Sequence, residues 1–213
     1  MIPKLHYISQ GNSPKEHLDN IQKACSSGSE LVQLRLKNIS KKKCLKLATE
    51  AREITSHFQT RLIINDYYKI AKAIKADGVH LGKTDCCPVE ARKHLYTWQI
   101  IGGTANTIQD CETLISKQVD YISLSPFRHA VTKGNIFKVL GLNGYNEIIE
   151  ALKTETPIIG FGGINTKDVT AILETGISGI AVSDVITKNF DVIRTFNQLL
   201  KASSTKELRH TFK

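Results

Sequence analysis

No run of apolar residues in this 213-residue chain approaches the ~20 needed to span a bilayer. Its opening, MIPKLHYISQ, enters a strand-like stretch with none of the apolar core of a secretory signal. A cytoplasmic protein with no membrane partner is therefore expected. Cysteine is sparse and wrongly spaced for a disulfide framework or a zinc site. Cys25, Cys44, Cys86, Cys87 and Cys111 are odd in number, and no CxxC occurs. None sits in a nucleophile motif, so they are read as reduced thiols. No GxGxxG follows the first strand-like run, which counts against an open dinucleotide-binding sheet. Linkers and low-complexity segments are missing too, so one domain is expected over residues 1–203, with a polar, frayed tail over 204–213. Folding at this length buries about 70% of the unfolded chain's surface, so no disulfide or metal staple is needed.

Acid is the scarcer charge. Against 29 Lys and Arg stand 20 Asp and Glu, a formal excess of +9. Such a balance suits nucleic acid, an anionic membrane surface or a small polyanion. The densest basic run, Lys41-Lys42-Lys43, lies in NISKKKCLKLATEAREI, where Cys44, Leu45, Leu47, Ala48, Ala51 and Ile54 keep helical spacing. The lysines then fall on a solvated outer face, and no aromatics interleave with them as a single-strand platform requires. This disfavours a noncatalytic nucleic-acid binder and leaves a small polyanion.

What the chain does have is alternation. Eight short apolar runs begin near residues 5, 31, 61, 78, 98, 120, 157 and 179, and a stretch with helical patterning follows each. Strands alternating with helices imply a parallel sheet with right-handed crossovers. Eight such units in one chain of this length predict an α/β fold, a single-domain (β/α)8 TIM barrel. On that fold the active site lies at the C-terminal ends of the strands, and this rule selects residues.

Strand 2 carries QLRLK, where Gln33, Arg35 and Lys37 alternate with Leu34 and Leu36 and so share one face. An anion site with Arg35 as a forked donor and Lys37 as a point charge is one reading; a solvated strand tip is the other. Strand 3 ends at Asn65-Asp66, and Asp85 follows strand 4. Each acid precedes a helix-like stretch and is a good candidate N-cap. Together, beside a cationic site, they instead suit a hard divalent ion, since Mg2+ takes one or two carboxylates plus substrate phosphate oxygens. Strand 5 ends at Thr104, and SPFRHAVTKGN after strand 6 places Thr132 and Lys133 in a loop. The GFGG of strand 7, with Gly163 last, leaves backbone amides uncovered where barrels often bind phosphate. Strand 8 ends at Ser183-Asp184.

The pieces QLRLK, LIIND, GVHLGKTD, IIGGTANT, SPF…TKGN, IIGFGGI and GIAVS follow one another over residues 5–186. In that order they resemble the thiamine phosphate synthase family. The resemblance implies a Mg2+-dependent transferase that joins a hydroxymethylpyrimidine diphosphate to a thiazole phosphate and releases pyrophosphate. Carried over by motif, Gln33, Arg35, Lys37, Asn65, Thr104 and Lys133 would contact the pyrimidine diphosphate, and Asp66 and Asp85 would hold the metal. Ala130, Thr132, Gly163, Ser183 and Asp184 would meet the thiazole phosphate, and Arg35, Lys37, Thr104 and Lys133 would carry the catalysis. Several positions depart from the family pattern. Thr104 replaces a usual Ser, Ala130 a usual Thr, and Ser125 a usual Gly; Ser183-Asp184 stands for a usual Val-Ser. No nucleic acid partner is expected, His80 and His129 are read as structural or peripheral, and a homo-oligomer is left open.

Overall fold

Alternation with a period of two sorts the strand side chains onto the two sides of one closed sheet. The computed structural model describes residues 2–128 and 138–210, with 202–210 as backbone only. The strands are β1 (Leu5–Ile8), β2 (Leu31–Leu34), β3 (Arg61–Asn65), β4 (Gly78–Leu81), β5 (Ile100–Ala105), β6 (Tyr121–Leu124), β7 (Ile158–Phe161) and β8 (Gly179–Val182). They are parallel and neighbour one another in chain order, and β8 closes on β1 through Leu5↔Ile180, His6↔Ala181 and Tyr7↔Val182. This is the expected barrel.

The helices α1 (Pro14–Ser26), α2 (Lys41–His57), α3 (Tyr68–Ala73), α4 (Pro88–His94), α5 (Ile108–Ser116), α6 (Gly141–Leu152) and α7 (Val169–Glu174) make the crossovers. After β8 come a short α8 (Asp184–Lys188) and a long α9 (Val192–His210), whose backbone runs through the polar segment from 204. Local chemistry sets the starts. Ser13 accepts from the Glu16 amide ahead of Pro14, Ser40 caps α2, and Thr107 and Asp110 form a reciprocal capping box on α5. In α2 the buried stripe is Cys44, Leu47, Ala48, Ala51 and Thr55, and Lys41, Lys42 and Lys43 are solvated. Leu45, expected on the apolar face, is 41% exposed.

Two cores result. Outward residues such as Tyr7, Leu34, Ile64, Val79 and Leu124 pack with the helices in one large cluster. Inside the barrel Ile8, Tyr121, Ile159 and Ala181 form a small one. Tyr121 occupies so much of that interior that a Cβ on Gly102 would lie 2.1 Å from its ring. The first glycine of IIGGT is therefore room for a tyrosine.

Several strand ends differ from expectation: β5 runs on to Ala105 and β7 stops at Phe161, while the second and eighth strands end at contacts made by serine hydroxyls. The second strand stops at Leu34, because the Arg35 amide turns to the Ser9 hydroxyl (3.1 Å) instead of extending the ladder. The eighth stops at Val182, where the Ser183 hydroxyl donates to the Ile8 carbonyl and α8 begins. All five cysteines are free thiols; Cys25, Cys44 and Cys111 are buried, where burial pushes Cys111 up to about 12, whereas Cys86 is half-buried and Cys87 exposed. Among the described residues no helix is long and apolar enough to cross a membrane.

Candidate active site

The two acids that end LIIND and GVHLGKTD converge. Neither is a cap: α3 starts from Tyr67 and α4 from Cys87, and no side chain caps either helix. The Asp85 carboxylate instead accepts from the Gly82 amide (2.6 Å). Asp66 stands in left-handed backbone at φ 69°, its amide donating to the His80 carbonyl of β4 (2.9 Å) and its carboxylate accepting from the Asn65 side-chain amide. Burial first, then a hydrogen bond to Asp85 and that residue's negative charge, push Asp66 up to about 7; Arg35 and Lys37 pull it down. So Asp66 and Asp85 lie within hydrogen-bonding reach of each other, and the two cations of QLRLK lie close enough to act on Asp66. Arg35 and Lys37 do not sit on a buried strand face, as the alternation predicted; both lie past the end of β2 and are exposed. Their charges are solvated at the barrel mouth, which removes the desolvation problem a buried pair would have had.

Beneath this cluster a polar chain crosses the barrel. Gln33 of β2 bonds the Tyr121 hydroxyl of β6, which pairs with His80 Nδ1 of β4 (3.0 Å). His80 Nε2 then meets the Thr104 hydroxyl of β5 (2.9 Å). Burial lowers His80 to about 4, against an upward pull from Asp85 and with a smaller push from Arg35, so the ring is neutral: one nitrogen donates and the other accepts. The chain therefore has two proton orders. In one of them Gln33 donates to Tyr121, Tyr121 to Nδ1, and Nε2–H to Thr104, which frees the Thr104 O–H to point at an anion. From sequence His80 is structural or peripheral and Tyr121 carries no mark of a role, because DYISLS does not reveal which alternate residues face inward. The signal available was Gly102, a small residue beside a large polar one.

On the far side of the mouth, Gly162 (φ 106°) and Gly163 (φ 69°) form the turn after β7, ahead of a 3-10 turn at Thr166–Asp168. Ser183 precedes α8. Ala130, Thr132, Lys133 and His129 lie outside the described residues. Among the described residues no group of three or more His, Cys, Asp or Glu is arranged to hold a metal. The Asp66–Asp85 pair offers two carboxylates only, a set that fits a hard cation completed by ligands from elsewhere.

Comparison with known proteins decides the family. The sequence model described as thiamine monophosphate synthase matches residues 5–186. The chain belongs to this family. It is 42% identical to the thiamine-phosphate synthase of Flavobacterium johnsoniae, covering 95% of this chain and 99% of the relative. With that of Bacteroides fragilis the identity is 35%, over 92% and 98%. Such relatives make it a transferase. A thiamine phosphate pyrophosphorylase structure from Pyrococcus furiosus superposes with a TM-score of 0.81 at 24% identity, covering 93% of this chain and 96% of that one; that likeness speaks to the fold alone.

For a thiamine monophosphate synthase family member, the Asp at 184 is the departure that most threatens a phosphate site. Its carboxylate is engaged: Lys188, one turn on, donates to it at 2.7 Å, and the pair is exposed. The local charge is thereby balanced within α8. Ser125, another departure, accepts through its backbone carbonyl from the Asn106 side chain (2.6 Å), a contact that does not depend on its own hydroxyl.

Proposed function

We propose that this chain condenses 4-amino-2-methyl-5-hydroxymethylpyrimidine diphosphate with 4-methyl-5-(2-phosphooxyethyl)thiazole, or its carboxylated form, giving thiamine phosphate and pyrophosphate in the cytoplasm. The observation that carries this reading is the approach of Asp66 to Asp85, with Arg35 and Lys37 near enough to act on Asp66. Two carboxylates forced together, with no capping role and one of them raised toward neutrality, are a cation seat; two solvated arginine and lysine charges beside it are a seat for the anion that completes it. Asp66 and Asp85 would hold Mg2+, which when bound adds positive charge against the diphosphate.

The rest falls to the chain. Arg35 and Lys37 stabilise the negative charge that grows on the departing pyrophosphate as the bond to the methylene carbon breaks. Thr104, oriented by neutral His80, donates its hydroxyl, and Asn65 holds Asp66 in place. Lys133, carried over by motif, adds a further cation. The aminopyrimidine delocalises the positive charge left on carbon, and the thiazole nitrogen, held on the Gly163 and Ser183 side of the mouth, captures it with its own lone pair. No general base is required, in keeping with a histidine that is buried, neutral and fully bonded.

The test is an endpoint assay with both substrates, with Mg2+ or with EDTA, reading thiamine phosphate and pyrophosphate by chromatography. Product only with Mg2+ is expected. Metal-dependent binding of the pyrimidine diphosphate without product would assign the chain a different nucleophile, and no binding of either substrate would sink the reading.

A further inference from the structure

One cation of this molecule is unaccounted for by the chemistry above. Arg128 follows β6, and both terminal nitrogens of its half-exposed side chain are engaged. Its guanidinium forks onto Asp168, Nη1 to Oδ2 at 2.8 Å and Nη2 to Oδ1 at 2.7 Å, and Nη1 also reaches the Gly163 carbonyl at 2.9 Å. It stands 5.0 Å from the centre of the buried Phe127 ring. Its backbone N–H donates to the Gly162 carbonyl (3.0 Å). Its Cγ packs so tightly on Gly163 that a Cβ there would lie 2.4 Å away. Asp168, only 13% exposed, is itself fixed, because the same Oδ2 accepts the Asn165 amide at 2.8 Å.

The consequence is geometric. Arg128 draws the carbonyls of Gly162 and Gly163 to itself, one through its backbone and one through its guanidinium. In a trans peptide the N–H points opposite to the C=O. The N–H groups of Gly163 and Ile164 are therefore both turned away from Arg128. Positive φ at both Gly162 and Gly163 marks a turn, and with both carbonyls held on one side its two amides face the other, as amides do in anion-binding turns. Left alone, two glycines would sample many orientations; the bidentate Arg–Asp pair is the planar, pre-organised contact suited to holding one.

We propose that Arg128 is a positioning residue, which locks the Gly162–Gly163 turn so that the Gly163 and Ile164 amides receive the phosphate of the second substrate. The assignment of that phosphate to this side of the mouth rests on the reading above. The lock itself does not, and the experiment separates them.

Inorganic phosphate is titrated into the 15N-labelled full chain while the Gly163 and Ile164 amide resonances are followed, for the native protein, R128A and R128K. Both resonances should shift saturably in the native chain and shift at least roughly tenfold more weakly in R128A, about the worth of one hydrogen bond to a charged group. R128K, which keeps the charge and loses the fork, should fall between. In turnover, R128A should raise KM for the thiazole phosphate by a similar factor and leave KM for the pyrimidine diphosphate within about twofold. A merely structural arginine would lower the thermal midpoint and move both constants together, or neither, and that result overturns the proposal. So does a native chain whose two amides ignore phosphate. If the phosphate shift is present and lost in R128A while the native chain makes no thiamine phosphate, the lock stands and the synthase reading falls.

Discussion

Asp66 is held in a backbone conformation few non-glycine residues adopt. It has a raised carboxyl against a second carboxylate, and this sets its behaviour with pH. Between its ordinary value of 3.8 and the folded value of about 7 the native chain keeps a proton the unfolded chain has lost. That contribution to stability is full below the unfolded value and is lost as pH rises through about 7. Buried His6 and His80 act the other way. Burial lowers them from 6.5 to about 3 and about 4, so their contribution is present above 6.5 and is lost as pH falls toward those values. Asp66→Asn removes only the first effect. Its thermal midpoint should exceed that of the native chain at pH 8 without metal, and its decline from pH 6.5 to 4 should be steeper; coincident curves would show that Asp66 is not strained. The same variant, and Asp85→Ala, should abolish metal-dependent turnover, so that a more stable protein is an inactive one. In Tyr121→Phe, His80 Nδ1 and Gln33 lose their shared partner, at a cost of about 1–3 kcal/mol in urea unfolding. Turnover should fall with it, because Thr104 loses its orientation; full activity in that variant would make the interior chain a matter of stability alone.

Among the elements, a pattern recurs at the lower rim. Asp77, one residue before β4, accepts from the Leu62 amide of β3 (2.8 Å) and from Arg52 of α2. Asp120, one residue before β6, accepts from the Ile101 amide of β5 (2.7 Å) and from Arg92 of α4. Each acid ties the preceding strand to a helix. Because these ion pairs are partly solvated, the amide contact should outweigh the charge. Asp120→Ala should lose about 1–3 kcal/mol, and Asp120→Asn, which keeps an acceptor, clearly less, by denaturant titration. Elements were the most legible level of the sequence. All eight strands and their order could be read from alternation, but strand ends could not. QLRLK continues its polar–apolar rhythm past Leu34, although the ladder has stopped, because only the position of Ser9 on another element ends it. In the same way Asp66 and Asp85 carry the sequence marks of caps. That they are not caps depends on how two loops approach each other, which no local pattern encodes. The Arg128–Asp168 fork, 40 residues apart along the chain, is equally a product of the closed barrel.

Taken whole, the molecule draws its candidate site from Gln33 on β2 through to Ser183 after β8, so a chain cut anywhere between them lacks part of it. Closure joins the first strand to the last. A chain ending just before Gly179 should therefore be inactive and poorly soluble, recovered in the pellet after lysis; a soluble, monomeric product would contradict this. The ring has a further meaning for the growing polypeptide. On the ribosome β1 is made before β8, so one of its edges has no native neighbour until β8 has been synthesised. Over that interval the nascent protein displays an open strand edge of the kind that recruits other chains. The yield of folded chain should then respond to chaperone supply as well as to the stability of the finished barrel.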